Sequence, residues 1–239
     1  KPDFGPAKFN TSVKKSGATA ISARDFLVAY NINLNTTSTR RANAIAFDIR
    51  EAGRIKREGG KISGKIIKDK DGNPLKTPGL FKDVKGIGWF IEEYGVAQIS
   101  YNLTNINISP LHKVFDKTCE RAIARGIRVT GSELVGLVPK KVLIDAGKYF
   151  LKKQKRSIGI HESEIIKIAI KTLGLDELSS FNPKERIIEY MLESETKKPL
   201  VNMTLTNFAN ETASESPAPG GGSISAYCGA MGAALGTMV

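Results

Sequence analysis

The chain has 239 residues, which is enough for one or two domains of ordinary size. Hydrophobic residues make up 41% and charged residues 25%, a composition that excludes an intrinsically disordered chain. The formal net charge of +12 excludes an acidic solvating protein and favours an anionic partner. Cys119 and Cys228 stand far apart, and only two histidines are present, so a disulfide framework, a metal cluster and an oxidising compartment are not indicated.

The first half of the chain predicts alternating strands and helices. Residues 25–34 mix β-branched and aromatic residues, which is typical of a strand. Hydroxyl residues at 36–39 can cap a following helix, and Gly53 marks its end. The inner face of that helix is predicted from apolar residues at helical spacing: Ala42, Ile45, Ile49 and Ala52.

Two strands, a helix and a further strand are predicted next. Residues 83–93 and 96–105 predict strands joined by a short turn at Gly95. Ser109-Pro110 begins a helix, and 127–131 predict the last strand. The inner face of this helix is predicted to hold Leu111, Val114, Phe115, Cys119, Ala122 and Ile123. The order of elements predicts an α+β fold, a ferredoxin-like βαββαβ subdomain with helices on one sheet face.

Residues 54–85 form a basic insert with ten basic and four acidic residues. Asp71-Gly72-Asn73-Pro74 predicts a turn at its centre. One interpretation is a solvated β-ribbon whose lysines keep it soluble. The other is a basic lip that attracts an anionic substrate tail, an attraction that salt would weaken.

The second half of the chain predicts helices. Pro139 begins a helix whose inward residues are Val142, Leu143, Ala146, Tyr149 and Phe150, and residues 162–173 predict a second. Asn182-Pro183 caps a third, with Ile187, Ile188, Met191 and Leu192 on its apolar side. Residues 194–200 predict a linker. The 39 residues that follow hold no Lys or Arg, which indicates the start of an all-α domain at 201–239.

The last residues of the chain, 223–239, are uncharged and rich in Ala and Gly. A membrane span and a buried helix in a helical bundle are both compatible with this run, and its composition favours the bundle. We expect the chain to be part of a longer protein. Pro219–Ser223 has the shape of an anion-binding turn, or of a flexible turn with Ser223 as the helix cap.

No catalytic base is evident. Gly86-Ile87-Gly88 lacks the third glycine and the strand-to-helix setting of a dinucleotide fingerprint. His112 lies in the first turn of a helix, where a surface or capping role is expected, and His161 is expected to cap a helix. Residues 85–91 loosely match an aromatic RNA-stacking motif, so an RNA-binding ferredoxin-like module is an alternative function. Glu92 and Glu93, which would repel phosphate, count against it.

Long segments of the chain resemble the formiminotransferase-cyclodeaminase family. The resemblance is carried by 2–6 (PDFGP), 23–34 (ARDFLVAYNINL), 49–54 (IREAGR), 85–93 (KGIGWFIEE), 131–147 (GSELVGLVPKKVLIDAG), 181–191 (FNPKERIIEYM) and 216–239 (SPAPGGGSISAYCGAMGAALGTMV). It implies a joint between transferase subdomains at 1–24, the C-terminal transferase subdomain at 25–193, and the start of the cyclodeaminase from 201.

The resemblance also implies an activity. Members of this family transfer a formimino group from N-formiminoglutamate to tetrahydrofolate in histidine breakdown, and then close the ring with release of ammonia. It implies a cytoplasmic homo-oligomer, a folate with or without a polyglutamate tail, and no nucleic acid or membrane partner. The catalytic residues are expected outside this chain, so the chain alone is expected to bind folate weakly and to catalyse no transfer. A purely structural role in assembly is a further alternative.

The folate-contacting loop of the family corresponds to Gly5, Pro6, Ala7, Lys8, Phe9 and the residues up to Gly17. Here the loop is more basic at Ser12–Lys15 and longer than in the family. Glycine allows close backbone approach, Phe9 suits a flat ring, and lysines suit glutamate carboxylates. Asn31 and Asn33 project to one sheet face, where they can meet a pterin edge or flank a strand end. Arg24 and Arg50 are carboxylate-clamp candidates, although surface salt bridges are the favoured role.

Overall fold

The computed structural model describes residues 3–60, 63–192 and 200–238. The predicted linker at 194–200 lies outside the described residues, apart from Leu200. The strands are β1 (Val28–Leu34), β2 (Arg54–Ile55), β3 (Lys76–Thr77), β4 (Val84–Ile91), β5 (Val96–Leu103) and β6 (Val129–Val135). The helices are α1 (Thr11–Ser16), α2 (Thr39–Ile49), α3 (Leu111–Ile123), α4 (Lys140–Lys153), α5 (Glu162–Leu173), α6 (Pro183–Arg186), α7 (Ile188–Leu192), α8 (Leu205–Thr212) and α9 (Gly221–Gly236).

Four of the strands form one antiparallel sheet in the order β4-β5-β1-β6. Helix α2 connects β1 to β4, and α3 connects β5 to β6. Because each helix carries the chain over a neighbouring strand, the two βαβ units interlock. This is the ferredoxin-like arrangement, and it confirms the predicted α+β fold.

The core lies between the sheet and the helices on one of its faces. Every second residue of β1 points to this face, and Val28, Tyr30, Ile32 and Leu34 are fully buried there. Helix α2 contributes Ala42, Ile45, Ala46 and Ile49, which lie on one side of the helix. Ser38 caps this helix by accepting a hydrogen bond from the Arg41 backbone N–H. The predicted hydroxyl cap is therefore confirmed.

Gly88 lets α2 cross the edge strand β4 closely. A Cβ atom on Gly88 would lie 2.5 Å from the backbone nitrogen of Asn43 and 2.6 Å from the Ala42 Cβ. The Asn43 side chain in turn bonds both backbone groups of Gly88, at 3.0 and 2.8 Å. Helix α2 thereby occupies hydrogen-bonding groups that an edge strand would otherwise expose.

The basic insert is a β-ribbon, as one of the two interpretations predicted. Strand β2 pairs with β3, and isolated bridges join Arg57 to Ile66 and Lys68 to Pro74. The Asp69 carboxylate accepts hydrogen bonds from the backbone of Asp71 and Asn73, which closes the predicted turn at the tip.

Two details of α3 and β6 differ from the sequence prediction. Ile123 is 70% exposed, because it lies one step around the helix from the buried face that ends at Ala122. The last strand covers Val129–Val135 and not 127–131, because pairing with β1 extends as far as Val135. Ile127 is buried, but it precedes the strand.

Helices α4 and α5 follow the prediction closely, whereas the third predicted helix is divided. Asn182 caps α6 as expected, but Ile187 has extended backbone angles and interrupts the helix. Ile187 is fully buried and forms a parallel bridge with Val138, which local periodicity does not reveal. Met191 and Leu192, predicted on the apolar side, are 53% and 75% exposed.

Helices α8 and α9 lie beyond the linker region. The two helices contact each other through the aromatic rings of Phe208 and Tyr227, whose centroids are 5.9 Å apart. The burial predicted for α9 is not found in the described chain, where Met231 and Leu235 are 48% and 62% exposed. Gly220, not Ser223, occupies the cap position of this helix. Within 3–60, 63–192 and 200–238, no helix has the length and apolarity that a membrane crossing requires.

Candidate ligand-binding face

The side of the sheet opposite α2 and α3 carries the candidate site. Strand register places Trp89, Gln98, Asn33 and Asn31 on this side, together with Glu133. Ile87, Trp89 and Val135, which share this side, are between 45% and 56% exposed. We call this surface the open face. It combines a polar centre with a partly apolar margin.

A network of side-chain hydrogen bonds crosses the open face. Asn31 Nδ2 donates to Glu133 Oε1 at 2.9 Å, and Gln98 Nε2 donates to the same oxygen at 2.9 Å. Gln98 Nε2 also donates to Asn33 Oδ1 at 2.8 Å, and Trp89 Nε1 donates to Gln98 Oε1 at 3.1 Å. These contacts join all four strands of the sheet, so the polar groups are held in fixed positions.

A residue from outside the sheet completes the network. Glu177, which follows α5, accepts a hydrogen bond from Asn33 Nδ2 at 2.6 Å. Gly131 makes room for this carboxylate, since a Cβ at Gly131 would lie 2.5 Å from the Glu177 Cβ. The open face therefore presents two carboxylates beside amide groups, an arrangement suited to a ligand that both donates and accepts hydrogen bonds.

Two of the predicted site residues, Asn31 and Asn33, lie in this network. Asn33 is fully buried and Asn31 is 6% exposed. Both amides are committed to protein carboxylates. The sequence prediction missed Gln98, Glu133 and Glu177. A signal for Gln98 was present, because Gln98, Ser100 and Asn102 alternate with buried residues along β5 just as the asparagines do along β1.

The other predicted site residues, Gly5, Pro6, Ala7, Lys8, Phe9 and Gly17, lie on the N-terminal segment. All of them are exposed, and Phe9 is 80% exposed. Asn10 caps α1, and Gly17, with φ of 70°, ends it. No hydrogen bond of the described residues joins this segment to the open face. The structure therefore brings together two of the eight predicted site residues, the two asparagines.

The Arg50 guanidinium donates to main-chain carbonyls, whereas the sequence predicted a carboxylate clamp or a surface salt bridge. Its Nε donates to Gly53 O at 3.2 Å and its Nη1 to Gly86 O at 3.0 Å. The guanidinium carbon lies 4.0 Å from the centre of the Phe47 ring. Burial lowers the pKa of Arg50. Arg24 is exposed, and no ion pair of the described residues involves it.

The histidines lie away from the open face. His161 caps α5, as predicted, because its Nδ1 accepts from the Ser163 backbone N–H. His112 was expected at the surface or as a cap, but it is buried between α3 and α4, and Pro110 occupies the cap position. Its ring packs 4.5 Å from that of Tyr149, because one side of α3 faces α4. Burial lowers its pKa, and its Nδ1 has no hydrogen-bond partner among the described residues.

The fold and this face together define an α+β ferredoxin-like subdomain with one helix-covered sheet side and one polar open side, followed by a helical segment. Comparison with known families identifies it further. The family model for the formiminotransferase domain matches residues 29–193, and a model described as formiminotransferase-cyclodeaminase matches residues 204–239. The chain belongs to the formiminotransferase family, which confirms the resemblance found in the sequence.

Individual relatives agree with this assignment. The chain is 44% identical over 239 residues to formimidoyltransferase-cyclodeaminase from Gallus gallus, and 42% identical over 240 aligned residues to that of Dictyostelium discoideum. It is 37% identical over 151 residues to glutamate formimidoyltransferase from Thermoplasma acidophilum, a match that covers 63% of the chain. The chain spans about 40% of the length of each of these relatives.

Proposed function

We propose that this chain forms one wall of a cleft in which a formimino group passes from N-formiminoglutamate to tetrahydrofolate. The observation that carries the proposal is the network of Asn31, Asn33, Gln98 and Glu133 on the open face. The relative named glutamate formimidoyltransferase, from Thermoplasma acidophilum, supports the same reaction. Glutamate leaves when the formimino carbon changes its nitrogen partner from the amino acid to the folate.

The chemistry of the open face suits a pterin. A pterin ring edge carries an amino group and a ring N–H that donate, and a carbonyl oxygen that accepts. Glu133 and Glu177 supply acceptors, and the Asn31 amide, which gives one of its two N–H groups to Glu133, supplies a donor on the same surface. Trp89 and Ile87 at the margin offer exposed apolar area for the flat ring. The two carboxylates would repel the negatively charged phosphates of RNA, which disfavours the RNA-binding alternative.

The N-terminal segment is the second part of the proposed wall. Gly5, Pro6, Ala7, Lys8, Phe9 and Gly17 are exposed and therefore accessible to a ligand. Phe9 can lie against the benzoyl ring of folate, while Lys8 pairs with a glutamate carboxylate. A tail of several glutamates would meet more of the lysines in this segment. We place the base that takes the proton from N5 of the folate outside this chain.

The proposed division of the chain follows the family. Residues 1–24 join the transferase subdomains, 25–193 form the C-terminal transferase subdomain, 194–200 form a linker, and 201–239 begin the cyclodeaminase. The family-model matches at 29–193 and 204–239 support these limits. We propose that the whole protein is a cytoplasmic homo-oligomer in which the cyclodeaminase acts as a lyase and releases ammonia from the transferase product.

The test is binding of a reduced folate monoglutamate to the intact protein, measured by calorimetry. Glu133→Gln keeps the shape of the side chain but removes an acceptor charge, and Phe9→Ala removes the proposed ring contact. Each should weaken binding by about tenfold or more. Glu92→Gln, which makes the same charge change on an exposed residue beyond β4, is the control. Unchanged affinity in both test variants would overturn the proposal.

A second measurement separates catalysis from assembly. If the chain serves assembly alone, Lys8→Ala and Phe9→Ala leave the folate saturation of the intact transferase unchanged. The proposed wall instead predicts a higher KM for folate with little change for N-formiminoglutamate, because these residues contact the folate only. The 239-residue chain expressed alone should bind folate weakly and catalyse no transfer.

A further inference from the structure

A cavity of about 510 Å³ lies between α2 and the basic ribbon, on the helical side of the sheet. Among the described residues, five cationic side chains line it: Arg40, Arg50, Arg54, Lys56 and Arg57. Phe47 and Ile55 contribute apolar wall. None of the described residues that line this cavity is acidic. Because the cavity lies on the helical side of the sheet, it is separate from the open face. Its lining is positively charged, whereas the open face carries two carboxylates.

Most of this positive charge is not balanced by the protein. Arg54 forms an ion pair with Asp48, which also binds Arg125. Arg50 and Arg57 donate to main-chain carbonyls, which are neutral. No ion pair of the residues that the structure describes involves Arg40 or Lys56. Four of the five cations thus line the cavity without a carboxylate partner among the residues that the structure describes.

Such a concentration of charge raises the free energy of the folded protein unless an anion compensates it. Like charges in a concave site repel one another, and the apolar walls strengthen the potential. Guanidinium groups bind carboxylate and phosphate oxygens in pairs, and Arg supplies four of the five cations. The lining is therefore matched to an anion with oxygen acceptors.

We propose that this cavity binds a small multivalent anion, a molecule that carries two or more carboxylate or phosphate groups. The cations come from both walls, with Arg40 and Arg50 from α2 or its end and Lys56 and Arg57 from the ribbon. A ligand with two or more charged groups can pair with cations of both walls. Two sources share this chemistry: an oligoglutamate other than the folate tail placed at the N-terminal lysines, and a free phosphate compound.

Calorimetry on the intact protein tests the proposal with two probes, tri-γ-glutamate and pyrophosphate. The test variant combines Arg40→Gln with Lys56→Gln. Both residues are exposed and form no ion pair within the described part of the chain, so the variant should fold. Loss of the two cations should weaken binding of the anionic probe by at least about tenfold. The control, Lys68→Gln with Lys70→Gln, removes the same charge from the exposed tip of the same ribbon and should change binding less than about threefold.

The results separate the two sources and can overturn the site. Variant-sensitive binding of tri-γ-glutamate alone identifies an oligoglutamate as the ligand, and variant-sensitive binding of pyrophosphate alone identifies a phosphate compound. Binding of neither probe at millimolar concentration overturns the proposal, as does an equal loss in the test and control variants. Because Glu133→Gln and Phe9→Ala lie outside this cavity, failure of the proposed transferase function is distinguishable from failure of this site.

Discussion

Gln98 on β5 and Asn33 on β1 lie directly opposite one another, and the Gln98 amide donates to the Asn33 side-chain oxygen at 2.8 Å. Both residues are fully buried. A buried amide that loses its partner costs about 1–3 kcal/mol, so each of these residues depends on the other. This pair joins the central strands of the open face and positions the polar groups around it.

Substitution of Asn33 should therefore destabilise the fold. Asn33→Ala removes the acceptor for Gln98 and the donor for Glu177 in one step. We expect the free energy of unfolding to fall by about 2–4 kcal/mol, measured by urea denaturation. Asn102→Ala, an exposed residue on the same face of β5, should change it by less than about 0.5 kcal/mol. Equal effects in the two variants would contradict the role assigned to the network.

Gly88→Ala tests the close crossing of α2 over β4. The new methyl group would lie within 2.7 Å of three α2 atoms, so the helix must move away from the strand. We expect a loss of about 1–3 kcal/mol in the free energy of unfolding and a lower Tm. Gly159→Ala is the control, because its Cβ would meet no atom closer than 3.5 Å. A Gly88 variant as stable as the control would show that the crossing has room for a side chain.

Arg50→Lys should not behave as a conservative substitution. Lysine retains the charge but loses the planar group that lies over Phe47 and bonds Gly53 and Gly86. A loss of about 1–2 kcal/mol in unfolding free energy is expected. Arg41→Lys, on the exposed side of the same helix, should be near neutral. Thermal denaturation of both variants measures the difference.

His112 should make stability depend on pH. Burial lowers its pKa from 6.5 in the folded state; Asp145 and Asp116 oppose this shift, while Lys113 and Lys141 add to it. The unfolded chain therefore binds the proton first as the pH falls below 6.5. This contribution to stability is complete above pH 6.5 and is lost as the pH falls through the lowered folded pKa.

Unfolding curves between pH 7.5 and 5 measure this effect against His112→Phe, which keeps a ring beside Tyr149. The unfolding free energy of the wild-type protein should decrease more steeply with falling pH than that of the variant. Parallel pH profiles would show that His112 does not carry the difference.

Local patterns in the chain were sufficient to predict most elements. Helix α5 begins and ends where the apolar spacing and the His161 cap indicate, and the hairpin of β4 and β5 turns at Gly95 as expected. These patterns succeed because helix spacing, strand alternation, caps and turn glycines act over a few neighbouring residues. The alternation of β1 also placed Asn31 and Asn33 on one face without any structure.

The contacts that form the open face required the tertiary structure. Asn33 meets Glu177 across 144 residues of chain, and Gln98 across 65. No local signal marks Glu177, because its position depends on how α5 packs beside β6. The same holds for Ile187, whose bridge to Val138 divides a helix that periodicity predicts as continuous. Short-range periodicity determines which segments form helices and strands. Strand register and packing between distant segments determine which side chains come into contact.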